Sequence, residues 1–156
     1  MVDDDDYEYL NKWHWWFNGR YAIKEERYGK RSENKKRKYY MHRFLMGAKE
    51  GQEVDHINSD KLDNRRENLR LCTRIENAHN KSIQSNNTSG YKGVYWSKAA
   101  RKWQAYVTID RKAKYLGLFE DKKDAARAYN QAALNNYGEF AKLNEVTPAS
   151  SKQVVV

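Results

Sequence analysis

The stretch from Glu53 to Lys81, EVDHINSDKLDNRRENLRLCTRIENAHNK, constrains this chain more than any other. Asp55 and His56 are adjacent at the end of a short apolar run, Val54 to Ile57. In an extended strand their side chains leave opposite faces of the pleat, so one can hold a metal ion while the other meets a water. Thr73 and Glu76 stand three positions apart, as a capping box requires, so a helix should begin there with Asn77 in its first turn. The expected order is strand, polar loop, strand, helix. Within the loop Asn58, Asp60, Asp63 and Asn64 are turn formers whose side chains satisfy nearby backbone groups, which makes Asn64 a brace for the site and not a ligand.

This arrangement resembles the HNH nuclease family and its ββα-metal fold, on Asp55-His56, then Asn68 before Leu69-Arg70, then Asn77 in the helix. The resemblance implies that His56 is the general base and that Asp55 and Asn77 hold one divalent metal. Asn68 would be the middle asparagine that braces the loop and orients the histidine. Many members carry a third histidine where this chain has Asn77, and toxin-type members have a further ligand where it has Lys81. An amide oxygen is a harder donor than imidazole, so the expected ion is Mg²⁺ or Mn²⁺ and not Zn²⁺. The phage and intron homing endonucleases of the family look most similar, and His42-Arg43 is a pair that recurs in them. A histidine beside Phe44 and Leu45 reads as a hydrogen-bonded core residue before a catalytic one, and Arg43 is expected on a phosphate or a carboxylate. Arg65, Arg66, Arg70 and Arg74 crowd the same stretch, and any of them could stabilise charge on a cleaved phosphate; Arg70 and Arg74 are taken with Arg43 as DNA contacts.

A chain of 156 residues with 39% hydrophobic content suits two small modules better than one large core. Neither a membrane-length apolar run nor a secretory leader is seen, so the expected location is the cytoplasm, that of the host cell if a phage or an intron encodes the chain. Its single cysteine, Cys72, excludes an internal disulfide and four-cysteine zinc sites, and reads as a small buried residue. Thirty Lys and Arg against twenty-one Asp and Glu give a net charge of +9, which favours a polyanionic partner. Twelve tyrosines and five tryptophans interleaved with that charge favour nucleic acid over a membrane.

Upstream of the motif, the aspartates at 3–6 read as a solvated, mobile run, or as a shield over basic surface. WHWWF, Asn18-Gly19 and RYAIK form a hairpin signal, with a type I′ turn at Asn-Gly and with Trp13, Trp15 and Phe17 on the core face. Lys30 to Arg43 carries seven Lys or Arg against one Glu and should reach phosphates, with a third strand through Tyr39 and Met41 and a short helix from His42. These strands, at 12–43, and the motif at 53–81 make up an expected nuclease domain, 1–82.

Residues 83–90 read as a linker, polar and ending in glycine. Beyond it YKGVYW, KWQAYVTID and AKYLGLFE are three short alternating strands. EDKKDAARAYNQAALNNYG follows as one amphipathic helix, with Asp121 as N-cap, Gly138 past its end, and Ala125, Ala126, Ala132 and Ala133 as a close-packing face flanked by Tyr129 and Leu134. This module, 91–146, resembles the plant ethylene-response-factor (Apetala-two) DNA-binding domain on Lys92-Gly93-Val94-Tyr95-Trp96, Lys102-Trp103, Tyr115-Leu116-Gly117, Ala125-Ala126-Arg127-Ala128-Tyr129 and Ala141-Lys142-Leu143-Asn144. The resemblance implies a sheet in the DNA major groove with a helix behind it, and Lys92, Tyr95, Ser97, Arg101 and Tyr115 at or beside contact positions. By strand alternation Trp103, Ala105, Val107 and Ile109 face the helix, which turns Gln104, Tyr106 and Thr108 outward to DNA. Trp96 and Trp103 read as core. Residues 147–156 read as a frayed tail.

The fold expected is α+β: a ββα-metal module followed by a three-stranded antiparallel sheet packed on one helix. The activity expected is sequence-guided, homing-type hydrolysis of double-stranded DNA, nicking one strand per visit, by a monomer or weak dimer. A non-catalytic DNA-binding regulator is the alternative.

Overall fold

The computed structural model describes residues 1–146; the expected tail at 147–156 lies outside them. The chain divides into two compact units, Met1–Lys81 and Ser82–Val156. The class is α+β, built from small antiparallel sheets and few helices. No helix of the described residues is long and apolar enough to cross a membrane.

The first unit runs α1 (Asp4–Leu10), β1 (Trp16–Phe17), β2 (Ala22–Tyr28), β3 (Lys35–Tyr40), α2 (Met41–Leu45), β4 (Glu53–His56), β5 (Leu69–Cys72) and α3 (Arg74–His79). Strands β1, β2 and β3 form one antiparallel sheet in that order, and β4 and β5 a second, in the register Glu53↔Cys72 to His56↔Leu69. Helix α3 starts where the capping box required: Thr73 Oγ1 accepts from the Glu76 amide, and the Glu76 carboxylate accepts from the Thr73 amide. The core is small, Leu10, Leu45, Val54 and Leu69, with Trp15, Met41 and Phe44 packed around it.

Three expectations for this unit are corrected. Residues 3–6 are not a loose run: they open α1, where negative charge in the first turn suits the helix dipole, and Asp6 is buried against Arg66. Of the three aromatics assigned to the hairpin core only Trp15 enters it; Phe17 is 57% exposed, and Trp13 instead lies over the buried Lys24 ammonium, 3.2 Å from its ring centre. The turn is not type I′, because only Gly19 has positive φ; Asn18 Oδ1 instead accepts from the amides of Arg20 and Tyr21.

The second unit carries β6 (Val94–Ser97), β7 (Lys102–Ile109) and β8 (Lys112–Phe119) in one antiparallel sheet of that order, then α4 (Lys122–Tyr137). Asp121 caps α4 by accepting from the Lys123 amide. Ala125, Ala126 and Ala133, all fully buried, let the helix lie close on Val94, Ala105 and Val107. Gly93 shows how close: its φ is +75°, and an added Cβ would sit 2.2 Å from the Tyr129 ring and 2.5 Å from the Tyr106 carbonyl oxygen. Leu134, expected to flank the packed face, is exposed, and Trp96 is half-exposed with its ring against Trp103. The stretch read as linker contributes structure of its own: Asn87 and Ser89 bond to the Tyr91 carbonyl, and Ser89 is buried.

Candidate active site

Strand alternation separates the two central residues as expected. Asp55 faces α3, while His56 faces the 57–68 loop and the first sheet; both are closed off, at 1% and 0% exposure. Across the ladder Asp55 pairs with Arg70, whose Nε and Nη2 lie 3.1 and 2.8 Å from Asp55 Oδ2. Asn80 Nδ2 lies 3.1 and 2.9 Å from the two carboxylate oxygens and 3.0 Å from the His56 carbonyl.

The expected ligand pair is therefore not in direct contact. Asn77 donates its amide to Glu53 Oε2, and Asn80, one turn further on, takes the place beside Asp55. Alternation places Glu53 and Asp55 on one face of β4, and three-residue spacing places Asn77 and Asn80 on one side of α3 and its C-cap. Glu53 and Asn80 were missed as site residues, although these two spacings were signals that could have found them.

His56 Nε2 lies 3.3 Å from Asn64 Oδ1, and Asn64 Nδ2 donates to the Leu62 carbonyl, which turns the amide oxygen toward the histidine. Nε2 then carries the proton, and Nδ1, a buried atom with no hydrogen-bond partner, is left as the acceptor. Burial lowers the His56 pKa, an effect that the Asn64 contact partly offsets, so the ring is neutral at pH 7. Asn64, not Asn68, thus touches the histidine. Asn68 braces the loop: Oδ1 accepts from the Asn58 amide and Nδ2 donates to the Asp63 carbonyl. Arg65 grips Asp63 with two bonds of 2.8 Å and holds its carboxyl far below the usual range.

His42 and Tyr21 close over His56, with ring centroids 5.0 and 6.4 Å away. Burial, and then repulsion from His56 once that ring is protonated, push the His42 imidazole down to about 3, so it is a neutral core residue. Arg43, expected on a phosphate or a carboxylate, donates to the carbonyls of Lys49 and Gln52 and ties down the turn before β4. Arg70, expected on DNA, is paired with Asp55, whereas Arg74 is exposed on α3. Cys72 is buried as expected, which pushes its thiol up to about 11.

On the second unit Tyr95, Tyr106 and Tyr115 form a row across β6, β7 and β8, with neighbouring centroids 6.3 and 5.3 Å apart. Gln104 accepts from the Tyr106 hydroxyl at 3.4 Å. Thr108 and Arg101 are exposed, the latter at positive φ in the β6–β7 turn. Ser97 Oγ accepts from the Ala100 amide and so closes that turn. Lys92 is partly buried, which, with Lys142 nearby, lowers its pKa to about 8.

Protein 3.8 of Escherichia phage T7 is 40% identical over 62 residues, which are 40% of this chain and 51% of that protein. The uncharacterized HNH endonuclease L560 of Acanthamoeba polyphaga mimivirus is 36% identical over 93 residues, 60% of this chain and 47% of its own length. The chain thus spans about half the length of the curated relatives it matches. No solved structure gives a match. Residues 39–79, which hold Asp55, His56, Asn68 and Asn77, match the HNH endonuclease family model, and this segment is similar to that family.

Proposed function

We propose that this chain is a metal-dependent endonuclease of double-stranded DNA, of the homing type, whose first unit hydrolyses a phosphodiester bond and whose second unit holds the duplex. The observation that carries the reading is the pair Asp55–His56 at the end of β4, facing α3 on one side and an asparagine-braced loop on the other, inside the HNH-like segment. His56 Nδ1 takes the proton of the attacking water while Asn64 holds the ring in the tautomer that makes this possible. Asp55 and Asn77 would hold the cation.

The donors fit a hard ion. They are a carboxylate, Asp55, and a side-chain amide, Asn77, and both offer oxygen. That composition suits Mg²⁺ or Mn²⁺, which keeps several waters and is bound by one or two carboxylates together with substrate phosphate. When bound, the ion would neutralise charge on the scissile phosphate and stabilise the leaving oxygen. One base and one such site make one incision per visit, so the activity is nicking by a monomer, with a 5′-phosphate product.

Binding rests on the net charge of +9, on exposed Arg74, and on the outer face of the second unit's sheet. There Tyr95, Gln104, Tyr106, Thr108 and Tyr115, with Lys92, Ser97 and Arg101 at the edges, form the surface for DNA in the Apetala-two-like reading.

The burial of His56 favours a second reading, a DNA-binding protein without catalysis, since Nδ1 is closed to solvent and Tyr21 and His42 pack against the ring. Incubation of supercoiled plasmid with the protein and Mg²⁺ or Mn²⁺ separates the two. Relaxed circles that depend on the cation support the nuclease; plasmid that is bound but uncut with either ion leaves the regulator.

A further inference from the structure

We infer that Glu53 is a positioning residue for the cation, acting through Asn77, and that Asn80 does the same for Asp55. The inference rests on the nuclease reading above and gives roles to two residues that the expected site did not include. A carboxylate only accepts hydrogen bonds. Asn77, which donates to Glu53 Oε2, must therefore turn its nitrogen toward Glu53 and its oxygen, the only atom that can ligate a metal, the other way. Among the described hydrogen bonds no group other than Glu53 favours that orientation of the amide over its flip.

The same logic governs Asn80. Its nitrogen lies within 3.4 Å of four oxygens, both from Asp55 and the carbonyls of His56 and Ile57, so it is turned in as a donor and does not offer its oxygen to an ion. Asp55 Oδ2 is already crowded by Arg70 Nε, Arg70 Nη2 and Asn80, whereas Oδ1 takes only the longer Asn80 contact among the described hydrogen bonds. Oδ1 is thus the oxygen left to face a cation. Glu53 with Asn77 and Asn80 with Asp55 are two pairs of the same kind, each made of one strand residue and one residue of α3 or its C-cap, so a single packing of α3 on β4 orients both ligands.

The test is Mn²⁺ binding by the full chain without DNA, read by calorimetry and by electron paramagnetic resonance of the free ion. Glu53→Ala should weaken binding about tenfold or more, while Glu53→Gln, which keeps an acceptor oxygen, stays within a few-fold of the parent. Asn77→Ala should weaken it similarly, and the double variant should be no weaker than Asn77→Ala alone, because Glu53 acts only through that amide. Thermal melting without metal checks that each variant is folded. Parent-like affinity in Glu53→Ala overturns the inference, and so does additive loss in the double variant, which would make Glu53 a ligand. If the parent binds Mn²⁺ and only these comparisons fail, the nuclease reading stands; if the parent binds none, the inference falls, and cation-dependent plasmid nicking decides the nuclease reading by itself.

Discussion

Arg70 sits directly across the β4–β5 ladder from Asp55 and places two guanidinium nitrogens on one of its carboxylate oxygens, in a pair almost closed to solvent. Removing one partner of such a pair strands the other charge in a poorly solvated place. Arg70→Ala should therefore cost about 3–5 kcal/mol in urea unfolding. Added Mn²⁺ should recover part of that loss, since a cation at Asp55 supplies the missing countercharge. A loss below 1 kcal/mol, roughly that of an exposed pair, would show that Asp55 does not depend on Arg70.

His56→Ala should lower the cleavage rate by about 10²–10⁴ while leaving DNA binding nearly unchanged, as removal of a general base does. Asn64→Ala should give a smaller loss, because the ring keeps its Nδ1 lone pair but no longer has a partner fixing Nε2. Plasmid nicking and gel-shift titration on the same preparations measure both. Wild-type cleavage by His56→Ala would remove the assignment.

The buried His42 imidazole makes stability depend on pH with a definite sign. Its folded pKa is about 3 against an ordinary 6.5, so between those values the unfolded chain binds the extra proton. The stabilisation is fully present above pH 6.5 and is lost as pH falls, by about 2 kcal/mol at pH 5. The His56 shift has the same direction and adds to the loss. Urea unfolding at pH 7 and pH 5 should show this drop, and His42→Gln should flatten it; an unchanged slope in that variant would place the titration elsewhere.

Asp6 accepts from Arg66 Nε and Nη2 at 2.8 and 2.7 Å, and Asp3 accepts from the Arg66 amide at 2.7 Å, so α1 is clasped to the far end of the site loop. Hydrogen bonds to charged groups are worth about 1.5–3 kcal/mol, discounted here because the Arg66 side chain is half-exposed. Asp6→Ala should cost about 1–2 kcal/mol in urea unfolding. Amide exchange should quicken in residues 57–68 before it does elsewhere, and uniform exchange would show that α1 does not hold the loop.

DNA binding should weaken by about tenfold or more between roughly 50 and 200 mM salt, as counterion release by Lys and Arg requires. Tyr115→Ala should weaken it several-fold without changing the salt slope, because an aromatic contact displaces no counterion. Fluorescence anisotropy across a salt series checks both, and a flat profile would count against a phosphate partner.

Much of this protein was legible before any coordinates. Capping chemistry placed the start of α3, alternation gave β7 its helix-facing side at Trp103, Ala105, Val107 and Ile109, and adjacency put Asp55 and His56 on opposite faces. These are short-range consequences of backbone geometry, so neighbouring residues suffice to determine them. What only the tertiary structure decided is which distant groups meet. Asn80, rather than Asn77, reaches Asp55 across 25 residues, Asn77 turns to Glu53 across 24, and Asp6 finds Arg66 across 60. Each depends on how one element lies over another, and a shift of α3 along its axis by roughly one turn would bring Asn77 instead of Asn80 beside Asp55. Periodicity shows that they share a side of the helix but not which of them stands opposite a given carboxylate.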